Sequence, residues 1–225
     1  MKQLQPSPAL ARNMRFAGLL YLLIILAGLS AEIVLRAPLI DLRDAGATAA
    51  AILSDPVRFR LALAADLLMA VCDAGLAILL FLIFRPVAPG MALAAMVFRL
   101  IQTCLIAANL LALQTGWLLL SQDVGLPVVQ AQSLALLFFD LHGHGYDLGL
   151  VFFGITSLMT GALIWQSGIV AKGVGVGLVA AASVYLIGSC LRFFAPDICA
   201  VFTPAYVVPI LAETVFCLRL LARRP

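Results

Sequence analysis

The only two histidines in the chain, His142 and His144, lie in the segment "DLHGHGYD", where an aspartate stands at each end. A catalytic zinc ion takes three protein ligands, commonly imidazoles and a carboxylate, together with one water. The two histidines could supply two of these ligands, and the third could be one of three aspartates: Asp140, Asp147 or Asp66. The segment therefore raises the possibility of a zinc site, although the chain contains no H-E-x-x-H motif.

The spacing of the two histidines constrains that interpretation. Residues two apart on a helix point about 200° away from each other. His142 and His144 would therefore converge on one ion only if the backbone broke at Gly143 and Gly145. Two other interpretations stay open: a proton-responsive or ligand-binding histidine hydrogen-bonded to a carboxylate, and ordinary histidines in a loop at the membrane surface.

The composition places these residues in a membrane protein. Hydrophobic residues make up 64% of the chain and charged residues 11%, with a mean hydropathy of +1.13, whereas a soluble domain carries about 25% charged residues. Apolar runs of roughly 20 residues recur, which is the length that crosses about 30 Å of hydrocarbon as a helix. The net charge of +3 is small and lies mainly at helix ends, so it indicates membrane topology and not binding to nucleic acid.

Six helical spans are predicted, because backbone groups in lipid must form hydrogen bonds within their own segment. The expected fold is an all-α integral membrane protein, with residues 1–225 forming a single polytopic domain. The spans cover about 14–35, 59–84, 91–120, 146–167, 174–194 and 205–222.

Two further helical segments are predicted outside the spans. Residues 41–55 are expected to form a short outer helix, with Asp41 or Asp44 as the N-cap and Pro56 at its end. Residues 128–142 are apolar but too short to cross the membrane. We expect a half-helix there that leads into the fourth span after a break near the two glycines; one long, tilted helix is the alternative.

Polar residues inside the predicted spans are the most informative feature. A charged side chain in hydrocarbon costs on the order of 3 kcal/mol, so it needs a partner or water. Asp73 lies about 14 residues before the middle of the hairpin "RPVAPG", and Arg99 about 12 after it, so the two are predicted to pair. Glu213 lies near the middle of the sixth span and could join Arg99. The predicted buried polar cluster comprises Asp73, Arg99, Glu213, Gln102, Asp66 and Asn109.

A second group of charged residues is predicted to ring the outer mouth of the bundle. Glu32 and Arg36 end the first span four residues apart, a spacing that favours an ion pair on a helix. Arg192 closes the fifth span. The predicted outer-mouth cluster comprises Glu32, Arg36, Asp140, His142, His144, Asp147 and Arg192. Two roles stay open for these groups: a buried ion-pair network that fixes helix register, or a pathway for a substrate or ion.

Lysine and arginine residues near the span ends predict the orientation. With the N-terminus inside, eight are cytoplasmic and five are outside. The cytoplasmic ones are Lys2, Arg12, Arg15, Arg85, Lys172, Arg219, Arg223 and Arg224; the outer ones are Arg36, Arg43, Arg58, Arg60 and Arg192. Both termini are therefore expected in the cytoplasm.

Several segments resemble one family of bacterial membrane proteins, the family grouped as domain of unknown function 4386. They are "ARNMRFAGLLYLLIILAGLSAEIVLR", "DAGATAAAILSDPVRFRLALAADLLMAVCDAGLAILLFLIFRPV", "FRLIQ" and "DLHGHGYDLGLVFFG", and the resemblance covers roughly residues 12 to 222. It implies an inner-membrane protein of six or seven helices. It implies no activity and no residue roles.

Three hypotheses for function follow. The first is a non-enzymatic inner-membrane protein, in contact with the lipid bilayer, whose polar interior binds or moves a small molecule, a lipid headgroup or an ion from the outer side. The second is a membrane-embedded, metal-dependent hydrolase that uses zinc held by His142 and His144. The third is a non-catalytic partner in a membrane assembly.

Overall fold

Helices build the part of the chain described by the computed structural model, residues 8–222, and no strand occurs there. Helix α1 covers Pro8–Leu29 and continues through a π-helical stretch at Ser30–Arg36. It is followed by α2 at Ala45–Ser54, α3 at Pro56–Phe84, α4 at Pro89–Ser121, α5 at Val128–Ser167 and α6 at Lys172–Phe194. The chain ends with α7 at Pro196–Phe202, a 3-10 turn at Thr203–Tyr206 and α8 at Val207–Leu221.

The predicted six-span fold is confirmed. Within the described residues, six helical segments are long and apolar enough to cross a membrane: Pro8–Arg36, Pro56–Phe84, Pro89–Ser121, Val128–Ser167, Lys172–Phe194 and Pro196–Leu221. Three of the residues counted for orientation, Lys2, Arg223 and Arg224, lie outside the described range.

Local capping explains how α2 and α3 follow each other. Asp44 Oδ1 accepts a hydrogen bond of 2.9 Å from the backbone N–H of Ala47, which makes Asp44 the N-cap of α2. Asp55 caps α3 in the same way, and Pro56 occupies the first helical position, where its missing N–H has no cost. The predicted short helix is therefore present, and of the two candidate caps Asp44 has this role while Asp41 does not.

Helix α5 overturns the predicted half-helix at 128–142. It runs for 40 residues without interruption, which corresponds to a length of about 60 Å. This exceeds the hydrocarbon thickness of about 30 Å, so part of α5 must tilt or extend beyond the membrane core. The fourth span therefore begins 18 residues before the predicted start at 146, at Val128.

The two glycines in α5 make room for neighbouring side chains and leave the helix intact. A Cβ added to Gly143 would lie 2.7 Å from Arg192 Nη2, and one added to Gly145 would overlap the side-chain amide of Asn109. Glycine inside a helix costs only about 1 kcal/mol relative to alanine, which these polar contacts across the helix interface can offset. The sequence prediction interpreted a packing signal as a helix break.

The spans alternate in direction, which gives the bundle two distinct ends. The terminal end holds the start of α1, the α3–α4 and α5–α6 turns and the end of α8. The opposite end, called the mouth end below, holds the end of α1, the starts of α3 and α5 and the α6–α7 connection. Helix α5 packs against α4 and α6, and α1 packs against α3 and α8. An apolar core near the terminal end includes Met14, Leu76, Ile83, Phe84, Leu163, Ile164 and Phe216.

Helices α5 and α6 approach each other closely at two glycines. A Cβ added to Gly161 would lie 2.7 Å from the carbonyl oxygen of Gly175, and a Cβ added to Gly175 would lie 2.7 Å from the carbonyl oxygen of Gly161. Backbone atoms cannot rotate away as side chains do. Any larger residue at either position must therefore push the two helices apart.

We expect Gly161→Ala to lower the free energy of unfolding by about 1–3 kcal/mol, because the added methyl meets backbone. The measurement is thermal unfolding of the purified protein in detergent. Gly173→Ala is the matched control, since a Cβ at Gly173 in α6 meets nothing within 4 Å; it should leave stability unchanged or raise it by up to about 1 kcal/mol. Equal stability of the two variants would contradict the backbone contact.

Candidate functional site: an intramembrane polar network

The structure brings together the predicted pair of Asp73 on α3 and Arg99 on α4. Arg99 Nε and Nη2 both donate to Asp73 Oδ1, at 2.8 and 2.5 Å. The hydroxyl of Thr103 donates to the other carboxylate oxygen at 2.6 Å. Both charged side chains are buried. A pair in this environment is strongly coupled, because removing either partner leaves an uncompensated charge out of water.

Two aromatic rings complete the surroundings of Arg99. The guanidinium carbon lies 5.3 Å from the ring centroid of Tyr21 on α1 and 5.0 Å from that of Phe153 on α5, so the cation has favourable contacts with two rings. A cavity of about 10 Å³ adjoins Arg99 and is lined also by Thr156 and Thr160. That volume corresponds to about one water molecule.

Glu213 on α8 is a charged neighbour of Arg99, as the sequence suggested, but the two form no direct ion pair. It is 8% exposed, and its Oε1 accepts a hydrogen bond of 2.5 Å from the hydroxyl of Tyr185 on α6. No lysine or arginine among the described residues lies within ion-pair distance of it. Arg99 donates instead to Asp73, and Glu213 accepts from Tyr185.

Arg36 forms the second buried ion pair, at the mouth end. Arg36 Nη1 donates to Asp66 Oδ2 on α3 at 2.5 Å, and Nη2 donates to Glu32 Oε2 at 2.5 Å. The side chain of Asp66 is 3% exposed and that of Glu32 is 64% exposed, so Arg36 connects a buried carboxylate with an exposed one. The π-helical stretch widens the helix here: the N–H of Ala37 donates to the carbonyl of Glu32, five residues earlier, at 2.9 Å.

His142 on α5 contacts Asn109 on α4. Asn109 Nδ2 donates to the carbonyl of His142 at 2.7 Å and lies 3.1 Å from its ring Nδ1. Nδ1 also lies 3.3 Å from the backbone carbonyl oxygen of Asn109. Nδ1 accepts from the Asn109 amide when the ring proton is on Nε2, and donates to this carbonyl when the proton is on Nδ1. His142 is 5% exposed, and Nε2 has no hydrogen-bond partner among the described residues.

Gln102, also on α4, has a second buried polar atom of this kind. Its Oε1 lacks a partner among the described residues although the side chain is buried. Gln102 and Asn109 are seven residues apart, so they share one face of the helix, about 10 Å from each other. A buried polar atom without a partner costs about 1–3 kcal/mol, which makes this face of α4 a candidate binding surface.

Arg192 on α6 centres a third, more exposed cluster at the mouth end. Arg192 Nη2 lies 3.2 Å from Asp140 Oδ1, and Nε lies 3.5 Å from Asp147 Oδ2. His144 Nδ1 lies 3.1 Å from the carbonyl of Asp140 and 3.5 Å from Arg192 Nη2. The side chain of Asp140 is 42% exposed, so solvent screens these interactions more than the two buried pairs.

The two histidines face different helices, as residues two apart on an unbroken helix must. His142 faces Asn109 on α4, whereas His144 faces Arg192 and Phe193 on α6. Within residues 8–222, no group of three or more His, Cys, Asp or Glu side chains is arranged to hold a metal ion. The zinc arrangement considered from the sequence, with His142, His144 and Asp140 on one ion, is therefore not present in that part of the chain.

Three residues of the network are absent from the clusters that the sequence predicts: Tyr21, Thr103 and Tyr185. Tyr185 holds Glu213, Tyr21 stacks on Arg99, and Thr103 completes Asp73. A signal was available for the tyrosines, because a tyrosine inside an apolar span needs a partner for its hydroxyl.

Comparison with protein families matches a model described as "Domain of unknown function (DUF4386)" to residues 16–223, nearly the whole chain. The chain belongs to this family. No match was found among curated proteins, and none among solved structures. The DUF4386 description carries no activity, so the chemistry of this member has to be argued from its geometry.

In this DUF4386 member we expect Asp73→Asn to lower the free energy of unfolding by about 3–5 kcal/mol, because it leaves Arg99 buried without a counter-charge. The double variant Asp73→Leu/Arg99→Met removes both charges and should recover most of that loss. Thermal unfolding in detergent measures both. Asp140→Asn is the control, with an expected loss of about 1 kcal/mol or less at an exposed pair. Similar losses for Asp73→Asn and Asp140→Asn would be incompatible with a dominant buried pair.

Proposed function

We propose that this multi-pass membrane protein binds a small molecule, a lipid headgroup or an ion inside its helix bundle and moves it inward from the mouth end. The observation that carries the proposal is the pair of buried, unpartnered atoms on the α4–α5 interface, His142 Nε2 and Gln102 Oε1. Between the mouth and the centre of the bundle, the polar side chains follow one another in the order Arg36–Asp66, Asn109–His142, Gln102 and Arg99–Asp73.

A purely structural role explains less of this arrangement. The two ion pairs of Arg36 and Arg99 are sufficient to fix α1, α3 and α4 relative to one another. The unpartnered atoms of His142 and Gln102 add a desolvation cost without adding a contact between helices. Ligand groups that donate to Gln102 Oε1 and bind His142 Nε2 would remove that cost, which supports a binding role.

The two alternative functions have weaker support. A metal-dependent hydrolase needs several ligands on one ion, and His142 and His144 face different helices. A role as an assembly partner would be supported by exposed apolar surface outside the parts of the helices that lipid can cover. The exposed apolar faces of α1 and of the last span are those of helices that can cross a membrane, so contact with lipid accounts for them.

We further propose a bacterial inner-membrane location with both termini in the cytoplasm and the mouth end outside. Its support is the lysine and arginine count of eight against five. Arg85, Lys172 and Arg219 lie near the terminal end, and Arg43 and Arg58 lie near the mouth end.

A C-terminal fusion tests the orientation. A fluorescent protein that matures only in the cytoplasm should be bright when fused after residue 225, whereas an alkaline phosphatase that is active only outside the inner membrane should be inactive there. The phosphatase should be active when it is inserted at Asp123, in the loop between α4 and α5, because that loop lies at the mouth end. The opposite pattern would invert the proposed orientation.

Ligand binding is tested by the stability of the purified protein. A ligand at 100 times its Kd raises the free energy of unfolding by about 2.7 kcal/mol. The probes are sodium and potassium salts, small amines, small carboxylic acids and glycerophosphoethanolamine. We expect at least one probe to stabilise the wild type and to lose its effect in His142→Gln. The matched control His144→Gln should keep the effect, because His144 lies outside the α4–α5 interface. No stabilisation by any probe, or equal loss in both variants, would argue against the site.

A further inference from the structure

Within residues 8–222, the buried side chains include one more carboxylate than arginine. The fully buried charged side chains are Arg36, Asp66, Asp73, Arg99 and Glu213. Each arginine pairs with one aspartate at 2.5 Å. The remaining group is Glu213, so the buried set carries one negative charge whenever Glu213 is ionised.

The groups that face Glu213 supply hydrogen bonds but no direct counter-charge. Tyr185 on α6 donates to Oε1 at 2.5 Å. Tyr21 on α1, Arg99 on α4 and Asp73 on α3 are its other titratable or charged neighbours, and Arg99 is already engaged with Asp73. An ionised carboxylate out of water requires a paired cation, and without one it takes up a proton instead.

We propose that Glu213 is a proton-binding site and that the proton is an ion which this protein takes up inside the membrane. Hydronium donates the proton to Oε2 of Glu213 and is left as water. Oε2 is the free oxygen, since Oε1 accepts the hydrogen bond from Tyr185. The buried set then consists of two arginines and two ionised aspartates and is neutral. Movement of that proton through the bundle rests on the proposed function; its binding at Glu213 rests only on burial and partners.

Two tyrosines connect Glu213 with the mouth end. The ring of Tyr185 lies 6.1 Å from that of Tyr206. Tyr206, which lies nearer to the mouth along the last span, covers Gly188 of α6, one turn before Arg192. Asp147 of the Arg192 cluster is among its charged neighbours. Tyr206 and Tyr185 therefore lie between the Arg192 cluster and Glu213, with their rings in contact.

Infrared difference spectroscopy of the reconstituted protein tests the proton site. A protonated carboxyl in an apolar site gives a carbonyl stretch separate from the carboxylate bands, and this stretch shifts in D2O. We expect the band in the wild type at neutral pH, its loss in Glu213→Gln, and its persistence in the matched control Glu32→Gln, which alters an exposed carboxylate. Tyr185→Phe should keep the band but shift it, because the hydrogen bond to Oε1 is lost.

The outcomes separate this proposal from the proposed function. Absence of the band in the wild type at neutral pH, or its survival in Glu213→Gln, would overturn the proton site even if probes still bind at His142. A band that depends on Glu213, in a protein that binds no probe, would uphold the proton site and remove the ligand proposal. A cooperative thermal unfolding transition of Glu213→Gln would show that this variant is folded.

Discussion

The pairing of Arg99 with Asp73 is the constraint on which the rest of the bundle depends. In hydrocarbon the free energy of an unpaired guanidinium is high enough to exclude arrangements that separate the two side chains. Thr103 and the rings of Tyr21 and Phe153 fix the cation further, so that α1, α3, α4 and α5 all contact one charged group. Helix register near the centre of the membrane is therefore set by one polar interaction, and apolar packing fills the space around it.

Close packing at glycines allows the outer part of the network to form. Asn109 and Arg192 reach α5 where Gly145 and Gly143 have no side chain, and the His142 and Asp140 contacts follow from that approach. The same helix meets α6 at Gly161 with backbone against backbone. Helix α5 thus contacts both α4 and α6. Its polar contacts lie towards the mouth end, and its backbone contact at Gly161 lies towards the terminal end.

Much of the fold could be predicted from the sequence because lipid restricts the choices. Apolar length gives the number of spans, and counting residues from a short turn gives depth, so the contact of Asp73 with Arg99 could be anticipated from one hairpin. The partner of Glu213 could not be, since α7 and the 3-10 turn between α6 and α8 interrupt the residue count that gives depth. The buried position of Arg36 was hidden for a different reason: a π-helical stretch, with no marker in "SAEIVLR", shifts the arginine towards Asp66. The glycines of α5 show that residue type alone does not distinguish a helix break from a close contact.

The position of Glu213 also has consequences for the centre of the bundle. Its hydrogen bond to Tyr185 ties α8 to α6, the ring of Tyr185 contacts Phe153 at 5.2 Å, and Phe153 contacts the guanidinium of Arg99. A change in the charge of Glu213 would therefore act on Arg99 in two ways, through the electric field and through this line of aromatic contacts. This field acts in the interior of the bundle, where the interaction between two charges is stronger than in water. Since Arg99 holds α3 and α4 together through Asp73, the charge state of a group on the last span would bias the contact between two helices that α8 does not cover. A polar network of this kind can thus transmit a local charge change across the bundle without a large cavity.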